Sequence, residues 1–372
     1  MMGKTESIST KKWQAFRLRN CVLVGLLVFL SIFQYALAHS VGFLTFYMAY
    51  VYRPMQKMRS AVLNGIPFSV GDIFYLLLGI ALLAAIVRMV YFLLTFRKNR
   101  NEVITETVRF LNVPLVVYAI FLISWGGNYY RKPLSGHWPL AHVNWDSGAL
   151  LKMNISIVEH LNRERLFATR FPNLKSTNAI ANQLYHIRYG DKIAALKVKP
   201  TALGYALSYL GIQGYVNPFS GEAQFNRFIP PFMHPFVVCH EMAHQAGIAA
   251  EDDANLLAFV VGSESNVPAF RYSAWFNLFL YAYGDLKATD STAAKTIFNT
   301  LNLQTRNDLD TLRTMQRRYR SSFRKYSTRL YDGYLRLHGQ HDGINSYNDV
   351  VRWVYLRQQL GNEKADLPVC PW

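Results

Sequence analysis

Cysteine is scarce in this sequence, and so are acidic residues. The 372 residues include only 3 cysteines, which cannot form the disulfide framework that stabilises small secreted domains. Two of them, Cys21 and Cys239, lie in apolar segments, where the expected role is that of a small buried hydrophobic residue. The sequence also has no internal repeat and no low-complexity segment, which argues against repeat proteins and disordered tails.

The shortage of acidic residues gives the chain a formal net charge of +17, from 40 Lys and Arg against 23 Asp and Glu. Such a charge is typical of nucleic-acid-binding proteins, but no DNA- or RNA-binding motif is present. We therefore expect no nucleic-acid partner. Anionic lipid headgroups are the expected counter-charge.

Hydrophobic residues make up 51% of the chain and concentrate near its start. Residues 21–38 carry no charge and residues 73–96 carry only Arg88. Each stretch is long enough to cross a hydrocarbon core about 30 Å thick, and residues 110–125 form a shorter apolar run. We predict three transmembrane helices. Buried core helices are the alternative, and a cleaved signal peptide is a second alternative for the first stretch, although no clear cleavage site follows it.

Basic residues beside these stretches predict the orientation of the chain. They are more numerous before the first stretch and between the second and third than in the intervening loop, which favours a cytoplasmic N-terminus. We therefore predict a membrane domain over residues 1–127 and an extracytoplasmic domain over residues 128–372. The first group comprises Lys4, Lys11, Lys12, Arg17, Arg19, Arg97, Lys98, Arg100 and Arg109, and the loop group comprises Arg53, Lys57 and Arg59.

One segment near the C-terminus has two contrasting faces. Residues 313–329 are predicted as a helix with arginines on one face and apolar residues on another. A solvated face opposite a core face is the simpler interpretation, and docking on anionic lipid or an acidic partner is the alternative. The arginines are Arg313, Arg317, Arg320 and Arg324, and the apolar residues are Tyr319, Phe323, Tyr326 and Leu330.

Residues 240–244, with the sequence His-Glu-Met-Ala-His, carry the strongest chemical pattern. Positions i and i+4 of a helix lie on one face, so His240 and His244 can bind one zinc ion. Glu241 falls beside that face, where it can take a proton from the water that the metal activates and pass it to a leaving amine. The alternative is that both histidines are merely hydrogen-bonded in a core.

A third protein ligand is required, because catalytic zinc sites leave their fourth position to water. Glu251, Asp252 and Asp253 follow a predicted turn at Gly247, although the helix dipole also favours acidic residues in a first turn. A sharp reversal at the glycine brings Glu251 beside the second histidine, with Asn255 one turn later on the same face. Asp252 is rotated about 100° and Asp253 about 200° from that face. We predict Glu251 as the ligand and Asp253 as the fallback.

Five segments of the sequence resemble a known family: PFSVGDIFYLLL, NPFSGEAQFN, HEMAHQAGIAAEDDANLLAF, RYSAWF and GINSY. They are similar to segments of the DUF3810 family of Bacteroidetes membrane proteins, whose members are regarded as candidate zinc metallopeptidases. The resemblance implies a Zn²⁺ cofactor, a peptide or protein substrate, and a place in a bacterial inner membrane with the catalytic domain facing the periplasm. At Asp253 many relatives carry Glu, and the shorter acid alters how this position can support a ligand.

The phrase Glu251-x-x-Ala254-Asn255 is also loosely similar to a phrase of other membrane-embedded zinc peptidases. In those families the Glu binds the metal and the last residue orients a ligand histidine. Here only six residues separate His244 from Glu251, so the turn must be tight.

Two further residues are candidates for the site. Glu222 lies in a predicted strand before the zinc helix, where zincin-like folds place an edge strand that pairs with extended substrate. An exposed polar residue or a structural ion pair explains it equally well. Tyr272 can donate a hydrogen bond to the oxyanion of a tetrahedral intermediate, although a buried tyrosine with a satisfied hydroxyl is the more common case.

The sequence therefore predicts an α-rich membrane protein with three N-terminal transmembrane helices and a mostly helical, zincin-like domain with a small β-sheet. The expected activity is zinc-dependent hydrolysis of a peptide bond with Glu241 as the base. One alternative is a non-catalytic membrane scaffold or sensor, and another is a zinc amidase acting on a non-peptide amide. The presence of Glu241 argues against the scaffold, because a structural zinc site has no need of a base.

Overall fold

Helices dominate the computed structural model, which describes residues 2–95, 100–134, 145–337 and 349–360. The helical character and the small sheet that the sequence predicted are both confirmed. Arg97, Lys98 and the GINSY segment, which contributed to the predictions above, lie outside the described residues.

In the part of the chain that the structure describes, two helices are long and apolar enough to cross a membrane. They are the second half of α1 (Met2–His39), from Asn20 onward, and the whole of α4 (Val70–Leu94). In the most apolar 18-residue stretch of α4, none of the residues is buried inside the protein. Such an exposed apolar helix surface is typical of a helix that contacts lipid. Ser69 caps α4, because its hydroxyl accepts a hydrogen bond from the Asp72 N–H at 3.0 Å.

The prediction of a third candidate membrane helix was wrong. The run forms α5 (Arg100–Ser124), but only Phe110–Ser124 is apolar, because the helix carries charged residues up to Arg109. This apolar part is shorter than the roughly 20 residues that a crossing requires. The helix packs against α1 and α4, and its last residues lie close to the later part of the chain.

The segment between α1 and α4 folds against the later part of the chain. Tyr52 is buried with Trp125, and Gln56 donates a hydrogen bond to the carbonyl of Gly221 at 2.9 Å. Contacts therefore cross the boundary expected near residue 127, whose position stays a prediction. The segment consists of α2 (Val41–Phe46), a π-helical turn (Tyr47–Tyr52) and α3 (Arg53–Leu63).

The remaining helices accompany a three-stranded sheet. Strand β3 (Ala223–Phe225) lies between β1 (Val198–Pro200), which is parallel to it, and β2 (Gly214–Val216), which is antiparallel. Strand β2 is therefore at an edge of this sheet. The helices are α6 (Ser147–Phe167), α7 (Leu174–Tyr189), α8 (Gly204–Leu210), α9 (His234–Gln245), α10 (Glu251–Ser263), α11 (Pro268–Thr289), α12 (Ser291–Asn299), α13 (Leu303–Arg318), α14 (Phe323–Leu337) and α15 (Asp349–Leu360).

Helices α9, α10 and α11 form the centre of the core. Helix α11 packs along α6 and also contacts α9 and α10, while α9 packs on β2 and β3. Val238, Met242, Leu257 and Phe276 are completely buried among them. Because each of these helices is enclosed, the faces of α9 and α10 that carry the polar site are fixed by packing.

The late basic segment is two helices, so the prediction of one helix over residues 313–329 was wrong. Helix α13 ends at Arg318, and Tyr319 leaves helical geometry as its ring packs edge-on against Tyr209 at 5.3 Å. The hydroxyl of Ser321 then accepts a hydrogen bond from the N–H of Phe323, where α14 begins. The four arginines therefore do not share one continuous helical face.

Candidate metal centre

The two histidines of the His-Glu-Met-Ala-His pattern lie one turn apart on α9. Pro235 occupies the first turn of this helix, where its missing N–H costs nothing. The Nε2 atoms of His240 and His244 are 3.0 Å apart, and their rings meet edge to face. Helix geometry alone brings these two nitrogens together.

A glycine turn brings the third group to the histidines. Gly247 has a φ of +97° and ends α9, with its N–H on the carbonyl of His244 at 2.8 Å. A Cβ at this position would lie 2.7 Å from the ring of Tyr52, so both the backbone conformation and the close packing require glycine. The reversal places Glu251 at the start of α10, beside the end of α9.

The three predicted ligands form a compact triangle. Oε2 of Glu251 lies 3.2 Å from Nε2 of His240 and 3.5 Å from Nε2 of His244. Donor atoms on a tetrahedral zinc ion at bond lengths of 2.0–2.2 Å are about 3.3 Å apart. The spacing and the set of two imidazole nitrogens and one carboxylate oxygen therefore fit zinc.

The hydrogen bonds around the triangle leave its three inner atoms available. Nδ1 of His244 is 2.6 Å from the carbonyl of Ile248 and donates to it when it carries a ring proton. In the neutral ring, which is the form that binds a metal, this arrangement leaves the lone pair on Nε2. The hydroxyl of Tyr331 donates to Oε1 of Glu251. Oε2 of Glu251 is buried and has no hydrogen bond of ordinary geometry, which is what a metal-binding oxygen requires.

Glu241 lies beside the triangle and against the edge strand. Its side chain is buried, and its Oε2 has no hydrogen-bond partner among the described residues. A Cβ on Gly214 of β2 would overlap Oε1 of Glu241 and come within 2.8 Å of its Cδ. The absence of a side chain at Gly214 therefore makes the space that the carboxylate occupies.

Burial and mutual charge set the protonation of the metal-free cluster. Burial raises the pKa of Glu241 to about 8 and lowers that of His240. Burial also opposes the charge on His244, but the neighbouring Glu251 carboxylate outweighs it and raises the histidine pKa to about 9. The pKa of Glu251 is correspondingly held well below its usual value, despite burial, chiefly by His244. Without metal, the cluster is an ion pair of Glu251 with His244 beside a neutral His240.

Asn255 lies where the sequence placed it, one turn after Glu251. Its amide lies beside the ring of His240 and beside the hydroxyl of Tyr281, while Nδ1 of His240 has no hydrogen bond of ordinary geometry among the described residues. The indole of Trp125 meets the ring of His244 edge to face, with the ring centroids 6.3 Å apart. Asn255 thus neighbours the ring of His240, and Trp125, on a different segment of the chain, neighbours the ring of His244.

Two residues proposed for the site serve other purposes. The carboxylate of Glu222 is 2.6 Å from Nζ of Lys199 and accepts a hydrogen bond from the Gly71 N–H at the start of α4. Glu222 also precedes the central strand β3, not the edge strand. The prediction that Glu222 contacts substrate is corrected, because its carboxylate forms a structural ion pair with Lys199.

Tyr272 is also corrected, because its hydroxyl donates to Oδ2 of Asp308 at 2.7 Å. It precedes Tyr281 by nine residues of α11, or about 13 Å along the helix, and so lies away from the triangle. Asp253 is likewise turned away, since its Oδ1 accepts a hydrogen bond from the N–H of Leu134 at 2.9 Å.

Four residues near the site were not anticipated from the sequence: Trp125, Gly214, Tyr281 and Tyr331. Trp125 belongs to an aromatic and glycine-rich junction, and Gly214 precedes a short predicted strand, but neither signal points to a metal site. Tyr331 follows Glu251 by 80 residues, and no spacing rule connects the two.

Comparisons with known proteins place the chain in one family. A search of curated proteins and a search of solved structures each gave no match. The family model described as "Protein of unknown function (DUF3810)" matches residues 47–355, a range that includes α9, the glycine turn and α10. Because that match covers well over half of the sequence, the chain belongs to the DUF3810 family.

Proposed function

We propose that this chain is a membrane-anchored zinc metallopeptidase. The observation that carries the proposal is the triangle of His240, His244 and Glu251, whose facing atoms are 3.0 to 3.5 Å apart, with the buried carboxylate of Glu241 beside it. A structural zinc site needs a fourth protein ligand and no base, whereas this arrangement offers three ligands and a base.

Each residue then has a distinct part in hydrolysis. His240, His244 and Glu251 would hold the ion, and zinc bound there would supply a Lewis acid that polarises the substrate carbonyl and lowers the pKa of water. The carboxylate of Glu241 accepts a proton from the water whose oxygen attacks the carbonyl carbon. It passes that proton to the nitrogen as the C–N bond breaks, so the amine leaves neutral.

The edge of the sheet supports an extended peptide substrate. Two backbone hydrogen bonds join the chain on either side of the β2–β3 pairing: the N–H of Asn217 donates to the carbonyl of Glu222, and the N–H of Asn226 donates to the carbonyl of Gln213. Hydrogen-bonded pairs alternate along an antiparallel ladder, so Gly214 and Val216 direct their backbone groups away from β3. A peptide that pairs with these groups runs past Glu241, which is the zincin-like arrangement.

We infer that the site lies close to the membrane. At the start of α4, the N–H of Gly71 donates a hydrogen bond to the carboxylate of Glu222 at 2.6 Å. Directly after α5, the ring of Trp125 packs edge to face against the ring of His244. The site thus lies at the ends of α4 and α5 that face the folded domain. We infer that the site lies on the side of the membrane where α4 begins, which the basic residues flanking the two apolar helices predict to be the periplasmic side of an inner membrane.

The replacement of Glu241 by glutamine tests the proposal. We expect full-length protein in lipid nanodiscs to cleave members of a mixed peptide library and Glu241→Gln to lose cleavage while keeping about one zinc per chain, because the side chain is not a ligand. The exposed Glu159→Gln variant is the matched control and should cleave normally. Cleavage by Glu241→Gln, or loss of its zinc, would show that the base is misassigned. Zinc binding without any cleavage by the wild type would favour the scaffold.

A further inference from the structure

Helix α14 carries an apolar stripe on the protein surface. Phe323, Tyr326 and Leu330 are 70%, 62% and 77% exposed, and their spacing puts them within about 60° of one another around the helix. Large apolar side chains that are exposed together, at helical spacing, mark a contact surface more often than a solvated one.

The face of α14 next to the stripe holds the helix on the protein. Leu335 is completely buried, Arg324 lies against Gly211, and the hydroxyl of Ser327 is 3.5 Å from the carbonyl of Leu210. Tyr331 reaches inward to Glu251. The orientation of the helix is therefore fixed, and the stripe is its outward surface.

The stripe leads toward the helices that can cross a membrane. Tyr334, one turn after Leu330, lies 3.1 Å from the hydroxyl of Tyr129, in the short helical turn that follows α5. Tyr334 is also an electrostatic neighbour of Tyr75 in the second turn of α4. The C-terminal half of α14 therefore lies beside the domain-facing ends of α4 and α5.

Positive charge lies beside the stripe. Lys325 and Arg329 are exposed and project about 130° and about 90°, respectively, around the helix from the centre of the apolar residues. An apolar face flanked by basic side chains is the pattern of a helix that lies in the interface of an anionic bilayer. The net charge of +17 is complementary to the same surface.

We propose that α14 docks on the anionic surface of the membrane into which α4 is inserted, with Phe323, Tyr326 and Leu330 in the interface and Lys325 and Arg329 at the headgroups. This inference depends on the membrane location of α4 but not on metallopeptidase activity. Docking would also hold α14 in place over the metal centre, since Tyr331 is on its inner face.

Spin labels measure this docking directly. The full chain, with Cys21 and Cys370 replaced by serine, is labelled at Leu330→Cys or, as a control, at Thr296→Cys on the exposed side of α12, and placed in nanodiscs that contain phosphatidylglycerol. We expect the label at position 330 to collide with oxygen and to be shielded from an aqueous nickel reagent, while the label at position 296 meets the nickel reagent freely. The parent protein, which carries neither Leu330→Cys nor Thr296→Cys but keeps Cys239, measures any signal from a label on Cys239.

Charge variants test the lipid specificity. Lys325→Gln with Arg329→Gln should reduce the equilibrium constant between docked and undocked α14 about fivefold for each charge removed, and phosphatidylcholine nanodiscs should also reduce it for the parent. Lys287→Gln with Lys295→Gln removes equal charge elsewhere and should change nothing. A label at position 330 that meets the nickel reagent in both lipids would overturn the proposal. So would a label shielded from both reagents, which would show that protein covers the stripe, or an equal effect of the control pair.

Discussion

Replacing Lys199 with methionine, or Glu222 with glutamine, breaks the buried ion pair that joins the sheet to the start of α4. The two charged groups are 2.6 Å apart, and their side chains are only 2% and 3% exposed. The ammonium of Lys199 also donates to the carbonyls of Leu63 and Phe68, and the carboxylate accepts from the N–H of Gly71. Water therefore cannot replace a lost partner.

Each single replacement leaves a buried group without its counter-charge, and we expect it to lower the free energy of unfolding by about 3–5 kcal/mol. The double replacement removes both charges, so its loss should be smaller than the two single losses combined. Arg313→Gln is the control. It breaks a pair with Asp310 whose side chains are 46% and 64% exposed, and it should cost less than about 1 kcal/mol.

Thermal unfolding of the full chain in nanodiscs, followed by tryptophan fluorescence, measures these effects. At roughly 2–4 °C per kcal/mol, each single variant should lower Tm by roughly 6–20 °C. An unchanged Tm in Glu222→Gln would refute the reasoning, because it would mean that the carboxylate is not a buried structural partner. A role for Glu222 beside the substrate would then be open again.

Two further predictions concern the metal centre. Gly214→Ala puts a Cβ where the carboxylate of Glu241 lies, and a displacement of that carboxylate by about 1 Å should lower peptide turnover roughly 10²-fold with zinc retained. Gly65→Ala is the control, because its Cβ meets open space, and it should turn over peptide at the wild-type rate. Equal rates in the two variants would contradict the contact between Gly214 and Glu241. Tyr331→Phe removes the donor to Glu251, so a chelator competition should find zinc binding weakened about 10- to 100-fold, whereas unchanged affinity would show that the hydroxyl does not orient the ligand.

Sequence reasoning reached the parts of the site that local geometry determines. His240 and His244 share a face because four residues make about one helical turn. Glu251 reaches them because Gly247 adopts a positive φ that few other residues tolerate. Asn255 follows one turn later by the same geometry, so all of these positions depend only on neighbours along the chain.

The errors concern residues whose partners are distant in sequence. Glu222 and Tyr272 are chemically suitable for a site, but Lys199 and Asp308, which engage them, lie on other elements. Tyr331 reaches Glu251 across 80 residues. Such contacts are set by how helices and strands pack, and a single sequence gives no rule for them.

The third predicted span failed for a different reason. Helix α5 is 25 residues long, enough to cross a membrane, but charged residues up to Arg109 limit its apolar part to Phe110–Ser124. The predicted run of residues 110–125 is itself shorter than the roughly 20 apolar residues that a crossing requires.

The zinc content of Glu251→Ala and Asp253→Ala tests the central claim most directly. Both carboxylates are buried at the start of α10, but only Glu251 faces the histidines, while Asp253 accepts a hydrogen bond from Leu134. Elemental analysis of the purified full chain should find about one zinc in the wild type and in Asp253→Ala, and almost none in Glu251→Ala, because a catalytic site needs its third protein ligand. Zinc retained by Glu251→Ala and lost from Asp253→Ala would contradict the metal centre described above.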